Sequence, residues 1–264
     1  MTFTTLQLDV SEQVATITMS RPDRMNAFNL TMLNELVTAL EEVGLDENVR
    51  AVILTGEGRA FCAGADVKGV DDLLGLRQER PEREDILKLV CRVTLAIRQM
   101  PKPVVAAVNG VAAGAGANFL LACDLIVASE KGRLAENFIN IGLIPDGGGT
   151  FFVPHTVGYH RAAELFFMGR ILSAQEAMDL GLYNRVVPLE ELGGAARDLA
   201  LDLAQKPTRA IAAVKAIMNR ETIRVLRAHL EEETRNQRIM VATRDATEGI
   251  TAFGEKRKPT FVGK

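Results

Sequence analysis

The chain has 264 residues, 47% hydrophobic and 25% charged, with a formal net charge of −3 and a pI near 5.8. That length allows one large domain, or a domain with an appendage, around a sizeable core. The acidic balance leaves no electrostatic footprint for nucleic acid, and no apolar stretch is long enough to span a bilayer.

The first residues, Met1 to Gln7, carry neither a basic nor an apolar signal segment. Three cysteines, Cys62, Cys91 and Cys123, show no metal-ligand spacing and read as reduced, mostly buried thiols. A cytoplasmic protein without a metal site is expected. Taken in order, the β-branched run Val14 to Met19 predicts a strand ended by Arg21-Pro22. A helix is expected from about Asn29, with Leu33, Leu36, Val37, Leu40 and Val43 at helical spacing and Gly44 as its stop. Ala51 to Leu54 predicts a buried strand. The charged stretch from Asp71 to Glu84, which contains Pro81, reads as a long loop with short helical pieces.

Ile86, Leu89, Val90, Val93 and Ile97 mark the next helix, ended near Met100-Pro101. Val104 to Val108 and Asp124 to Ala128 predict two more strands, with a helix starting near Phe119 between them. Ser173 with Glu176 three residues on is a capping pair, and Arg185 to Val187 an exit strand. From Leu189 onward every periodic segment is helical, with Pro207 opening one helix. Strands alternating with helices up to about 187, then helices alone, indicate an α/β core with a helical appendage.

Two glycine-punctuated turns organise this pattern, Phe61 to Lys68 and Asn109 to Asn118. Small residues let a backbone approach a ligand, and amides at a turn or helix start point outward as donors. Two such turns on neighbouring strands can aim two N–H groups at one oxygen, which makes an oxyanion hole. The alternative is that the small residues only allow tight helix–strand packing. Gly114 and Gly116 open a G-x-G, but Phe119 stands where a dinucleotide fingerprint needs its third glycine, and no phosphate-cradling P-loop motif occurs. Cys62 in the first turn is a conceivable nucleophile without a histidine nearby in sequence.

Both turns, together with Arg21 to Ala27 and Ile141 to Thr150, resemble segments of the crotonase (enoyl-CoA hydratase/isomerase) superfamily, and most of all its ring-1,2-epoxyphenylacetyl-CoA isomerase-like branch. The resemblance runs from about Leu6 to Phe261. It implies an α/β crotonase spiral of repeated ββα units at 1–188, then an α-helical trimerisation region at 189–264. It also implies an acyl-CoA substrate, no cofactor beyond the coenzyme A that substrate carries, and a homotrimer or hexamer.

By the same resemblance the oxyanion donors are the backbone N–H groups of Ala65 and Ala115. The two glutamates typical of the hydratases fall at Asn118 and Phe138, so both carboxylates are missing. Asp146 then becomes the base, since the family's Pro-Asp/Glu-Gly turn carries the single base in a branch of isomerases; locally, Asp146 also fits a helix cap. Asn118 either holds substrate or water or simply starts a helix. Glu136 is a competing acid that reads more readily as a surface carboxylate, and His155 and His160 as solvated or packing residues. Arg24, Ala63, Asp66, Val67 and Lys256 are the implied coenzyme A contacts; Arg24, Asp66 and Lys256 also suit ordinary surface charge. The resulting expectation is an acyl-CoA isomerase working through Asp146, with hydration of an enoyl-CoA, or acyl-CoA binding without turnover, as alternatives.

Overall fold

A computed structural model describes residues 3–66 and 85–264. The expected 71–84 loop, like Val67, lies outside the described residues. Among the described residues, ten strands form two sheets. The larger runs in the order β1 (Leu6–Ser11), β2 (Val14–Met19), β3 (Ala51–Gly56), β5 (Val104–Val108), β7 (Leu125–Ser129), β10 (Arg185–Val187). All its pairings are parallel except the β1–β2 hairpin. The smaller sheet is β4 (Ala60–Cys62), β6 (Val111–Ala113), β8 (Arg133–Ala135) and β9 (Ile171–Ser173).

From β3 to β8 long and short strands alternate along the chain, one in each sheet. Thus β3 and β4 precede helix α2 (Ile86–Gln99), β5 and β6 precede α3 (Ala115–Ala122), and β7 is followed by β8. This is the repeated ββα spiral of the crotonase fold. The short strands pair in parallel, Cys62 beside Ala112 and Ala113 beside Ala135. Their C-terminal ends therefore share one rim. That rim carries the site.

Burial explains why the long strands read as continuous apolar runs. One face of the large sheet, with Val52, Leu54, Val104, Ala106 and Val108, packs in the main core with α1 (Leu30–Leu45) and α2. Its other face, with Ala51, Ile53, Val105, Ala107 and Val127, is covered by α7 (Leu192–Ala204) through Leu192, Ala196, Ala200 and Ala204. Three alanines at four-residue spacing form a flat stripe that fits closely on a sheet. The first of the C-terminal helices is thus a layer of the α/β core.

Between the core and the later helices run α4 (Gly149–Val157), α5 (Tyr159–Met168) and α6 (Ala174–Asp179), the last with the expected capping box. Then follow α8 (Thr208–Asn219), α9 (Thr222–Val241) and α10 (Arg244–Gly254). Lys215 anchors α8: its Nζ donates to the Ile97 and Lys102 carbonyls and, at 2.6 Å, to Asp124 Oδ2. Helix α10 lies so close on the 138–141 turn that a Cβ at Gly249 would sit 2.5 Å from the Ile141 carbonyl carbon. No helix among the described residues is long and apolar enough to cross a membrane.

Three local readings differ from expectation. Strand β1 escapes the pattern because it is a largely exposed edge strand, joined to β2 by Glu12-Gln13, both with positive φ, instead of a glycine turn. Helix α1 continues through Gly44 to Leu45, and Asn29, near its expected start, is its cap, the side chain accepting from the Met32 N–H. Helix α3 begins at Ala115, four residues before the expected Phe119.

One buried side chain ties the rim to the rest. Asn26, with φ of 55°, accepts from Arg21 N–H and donates to the Glu57 and Ala60 carbonyls at 2.9 and 2.7 Å. Asn26→Ala removes these bonds at a fully buried position, leaving the Ala60 carbonyl only its bond from Asn109 Nδ2, and should cost ~2–4 kcal/mol. Urea unfolding of the variant checks this; a midpoint equal to wild type with the same slope contradicts it.

Candidate active site

The rim formed by β4, β6 and β8 brings together three chain segments. The first is 63–66. Phe28 N–H donates to the Gly64 carbonyl and Asp66 N–H to the Phe28 carbonyl, bracketing Ala65. Among the described residues, the Ala65 N–H has no acceptor. Gly64 has φ of 90°, and a Cβ there would lie 3.0 Å from the Ala113 carbonyl oxygen. The two glycine turns are therefore pressed directly together.

The second segment opens α3. Ala117 and Asn118 N–H groups bond the Gly114 carbonyl, leaving those of Ala115 and Gly116 free among the described residues. Such first-turn donors are the positive end of a helix. Ala115 lies in the helix itself, outside the left-handed region, so its methyl group is no obstacle. At Gly116, by contrast, a Cβ would fall 2.6 Å from the Cys62 carbonyl oxygen. The small residues therefore permit tight packing, and the N–H groups of Ala65, Ala115 and Gly116 lie on the two turns so packed.

The third segment corrects the reading of Glu136. It follows β8 directly, and the Gly114 N–H to Ala135 carbonyl bond places it beside the second turn. The residue is 1% exposed, not at the surface, and neither carboxyl oxygen has a partner at hydrogen-bonding geometry. Burial, then Glu233 and Asp146, push its proton affinity well up, and the nearby Asn118 amide offsets only part of this. Phe138, two residues on, packs its ring 3.4 Å from where a Gly114 Cβ would be.

Asp146 arrives from the irregular stretch before α4. Its backbone carbonyl accepts from Asn118 Nδ2 at 2.6 Å, and its Oδ2 from Gln237 Nε2 at 3.1 Å. Oδ1 is buried with no partner. Burial pushes the carboxyl up to about 6, against the Gln237 hydrogen bond, which favours the charged form. Asp146 is not the cap of the following helix. Gly148 stands at that position, and the capping carboxylate is Glu233 of α9. Its Oε2 accepts from Gly148 N–H at 2.8 Å and its Oε1 from Thr150 N–H and Oγ at 2.9 and 2.6 Å. Burial nevertheless leads the balance and pushes Glu233 up to about 7.

Asn118 is fully buried on α3, holding the Asp146 backbone, and its Oδ1 has no partner. The remaining candidates fall outside this group. Cys62 is buried and pushed up to about 12, hence a neutral thiol at physiological pH and no nucleophile. His155 Nδ1 bonds the Phe151 carbonyl within α4, and His160 is exposed on α5. Arg24 and Lys256 are exposed, as coenzyme A contacts would need to be. Asp66 is not plain surface charge: it pairs with Arg21 at 2.7 Å beside Ala63 and Ala65, each side chain 19% exposed.

Sequence reasoning missed Glu233, Gln237, Asn26 and Arg21. A signal for the first two exists. On α9 the buried positions are Leu226, Leu230, Glu233, Gln237 and Val241, an apolar helical stripe interrupted by two polar residues. Polar side chains in a buried stripe need partners, and here the partners are the Asp146 turn.

Comparison with known proteins agrees with this geometry. The enoyl-CoA hydratase/isomerase family matches residues 9–264. The chain is 38% identical over 262 residues to a 1,2-epoxyphenylacetyl-CoA isomerase of Escherichia coli, covering 97% of each. It is 40% identical over 264 residues to a probable enoyl-CoA hydratase of Rhodobacter capsulatus, covering 100% of each. A crystal structure of an enoyl-CoA hydratase from Mycobacterium avium subsp. paratuberculosis superposes with a TM-score of 0.88 at 32% identity, over 99% of this chain and 100% of that one. With a crotonase spiral, two apposed glycine turns and identity sustained over the whole length, the chain belongs to the enoyl-CoA hydratase/isomerase family.

Proposed function

We propose that the protein is an acyl-CoA isomerase that moves a double bond by proton transfer through Asp146. The observation that carries this reading is the bare, buried Oδ1 of Asp146, in a turn held against the first helical turn that begins at Ala115. A thioester carbonyl bound by the Ala65 and Ala115 N–H groups would acidify the neighbouring carbons. Asp146 takes a proton from one carbon, the electron pair moves into the enolate, and the negative charge gathers on the carbonyl oxygen. The enolate collapses as the same carboxyl returns the proton to another carbon. Loss of one amide donor in comparable sites costs ~3 kcal/mol. A carboxyl that titrates near neutrality suits both halves of the transfer.

Asn118 supports this turn through its amide and leaves its own oxygen toward the same buried space. The adenine of coenzyme A would be lined by Ala63 and Asp66, mainly through backbone groups, together with Val67 beyond the described residues, with Arg24 near the pantetheine or phosphates and Lys256 at a phosphate. Lysine, a point charge on a flexible stem, suits that contact. We further propose a homotrimer, or a hexamer of two trimers, built with the 189–264 helices, in the cytoplasm. The exposed Val214, Ile217 and Met218 on α8 and Phe253 on α10 support such an assembly.

One observation favours a second reading, hydration of a 2-enoyl-CoA. Water addition calls for one group to activate water and another to supply a proton. Glu136, buried with both oxygens unpartnered, offers the second carboxyl. Proton NMR in deuterated water of a β,γ-unsaturated acyl-CoA, which reports isomerisation, and separately of a 2-enoyl-CoA, which reports hydration, distinguishes the two. Double-bond migration is expected in wild type and Glu136→Gln, with kcat down at least ~1,000-fold in Asp146→Asn. Hydration that disappears in Glu136→Gln would instead establish the second reading. For isomerisation, kcat/KM should rise with pH through about 6, as Asp146 ionises.

The same carboxyl predicts a stability effect. Asp146 is raised from the ordinary carboxyl range to about 6, so the folded state binds the proton more tightly than the unfolded chain. Its contribution is full below ~4 and is lost as pH rises through about 6. Asp146→Asn should therefore be more stable than wild type by ~1–3 kcal/mol at pH 8, with the difference closing near pH 4. Denaturant titrations at the two pH values measure it, and an equal difference at both would refute the buried-charge account.

A further inference from the structure

The turn that carries Asp146 is held from three helices at once. Thr94 Oγ on α2 donates to the Gly147 carbonyl at 3.0 Å, and Asn118 Nδ2 on α3 donates to the Asp146 carbonyl. The largest share comes from α9, where Glu233 and Gln237, one helical turn apart, are 3% and 2% exposed. Glu233 takes the Gly148 and Thr150 N–H groups on the far side of Asp146. Gln237 works on the near side. Its Oε1 accepts from Ile144 N–H at 3.2 Å, while its Nε2 donates to the Ile144 carbonyl at 2.9 Å and to Asp146 Oδ2 at 3.1 Å.

Both hydrogens of the Gln237 amide are thus committed, and one of them makes the two Asp146 oxygens unequal. Oδ2 is occupied, and Oδ1 is buried and bare. We propose, resting on Asp146 as the base, that Gln237 is a positioning residue which fixes Oδ2 and so dedicates Oδ1 to taking the substrate proton. A carboxylate free to turn about its Cβ–Cγ bond presents either oxygen in many orientations. Bonding one of them removes that freedom before substrate arrives, as effective proton transfer requires.

Gln237 also sets how readily Oδ1 holds a proton. The groups facing Asp146 are mostly unhelpful to its charge. Glu233 on α9 and Glu136 after β8 are acids, Cys91 on α2 is a thiol pushed up to about 11, and α3 offers the neutral Asn118. Against burial, the Gln237 amide is what favours the carboxylate. Removing that donor should leave Asp146 protonated to higher pH.

The test compares wild type, Gln237→Met, Gln237→Glu and Asp146→Asn across pH 5–9, following isomerisation and, independently, the Asp146 carboxyl carbon by 13C NMR. Gln237→Met should move the acidic limb, and the NMR titration with it, up by about one pH unit. Above that limb its kcat should fall roughly tenfold with KM within twofold, the mark of lost orientation without lost binding. Gln237→Glu keeps the side-chain volume, adds a fourth buried acid to Glu136, Asp146 and Glu233 and should move the limb further, so it decides the matter if the methionine variant folds poorly. A limb that stays at about 6 in both, or a raised KM with unchanged kcat, overturns the positioning role. Asp146→Asn keeps the two failures apart: wild-type isomerisation there removes the base assignment itself. An inactive Asp146→Asn beside unmoved Gln237 variants removes only the role of Gln237.

Discussion

Everything at the site depends on the lateral register of three short parallel strands. Because β4, β6 and β8 lie side by side and run the same way, the chain leaves each of them at one rim. The exits deliver residues 63–66, 114–118 and 136–138 within reach of one another, from positions some twenty to fifty apart in sequence. Glycine is required where the exits touch: Gly64 against the Ala113 carbonyl, Gly116 against Cys62. A side chain at Gly116 would collide with Cys62 and force the two turns apart.

What the rim collects is expensive. Three acids, Glu136, Asp146 and Glu233, are withdrawn from water, and each is pushed toward its neutral form mainly by that withdrawal. They also repel one another, so they cannot all be charged together at modest cost. The structure distributes help unequally. Glu233 receives three donors and a helix N-terminus, Asp146 a single amide on one oxygen, and Glu136 none at hydrogen-bonding geometry. Glu233 is thus spent as a capping group, Asp146 keeps one buried oxygen bare, and Glu136 is held toward its neutral form by burial.

How much of this could be read beforehand follows from the length scale of each signal. The β-branched runs at Val14–Met19 and Val104–Val108 announce themselves, because strands buried on both faces need uninterrupted apolar residues. The glycine turns are equally plain, since close backbone approach admits few other residues. Strands of three residues, such as Arg133–Ala135, are too short to show alternation. Without β8 nothing in the sequence places Glu136 beside Gly114, and an acid between helix and loop then reads as surface. Glu233 and Gln237 were hidden differently. Their helix was legible, but its partner was not, because a polar pair in an apolar stripe gains meaning only once the facing turn is known.

That last point ties the end of the chain to the chemistry. Helix α9 is not merely packed against the core; its two buried polar side chains complete the hydrogen bonding of a turn with no regular structure of its own. Ile144, Asp146, Gly148 and Thr150 all depend on it for partners. Helix α10 adds a second constraint, because Gly249 backs onto Ile141 at a distance no other residue would permit, fixing the turn that follows Glu136. The α/β core therefore carries Ala65 and Ala115, while α9 supplies hydrogen-bond partners to the turn that holds Asp146.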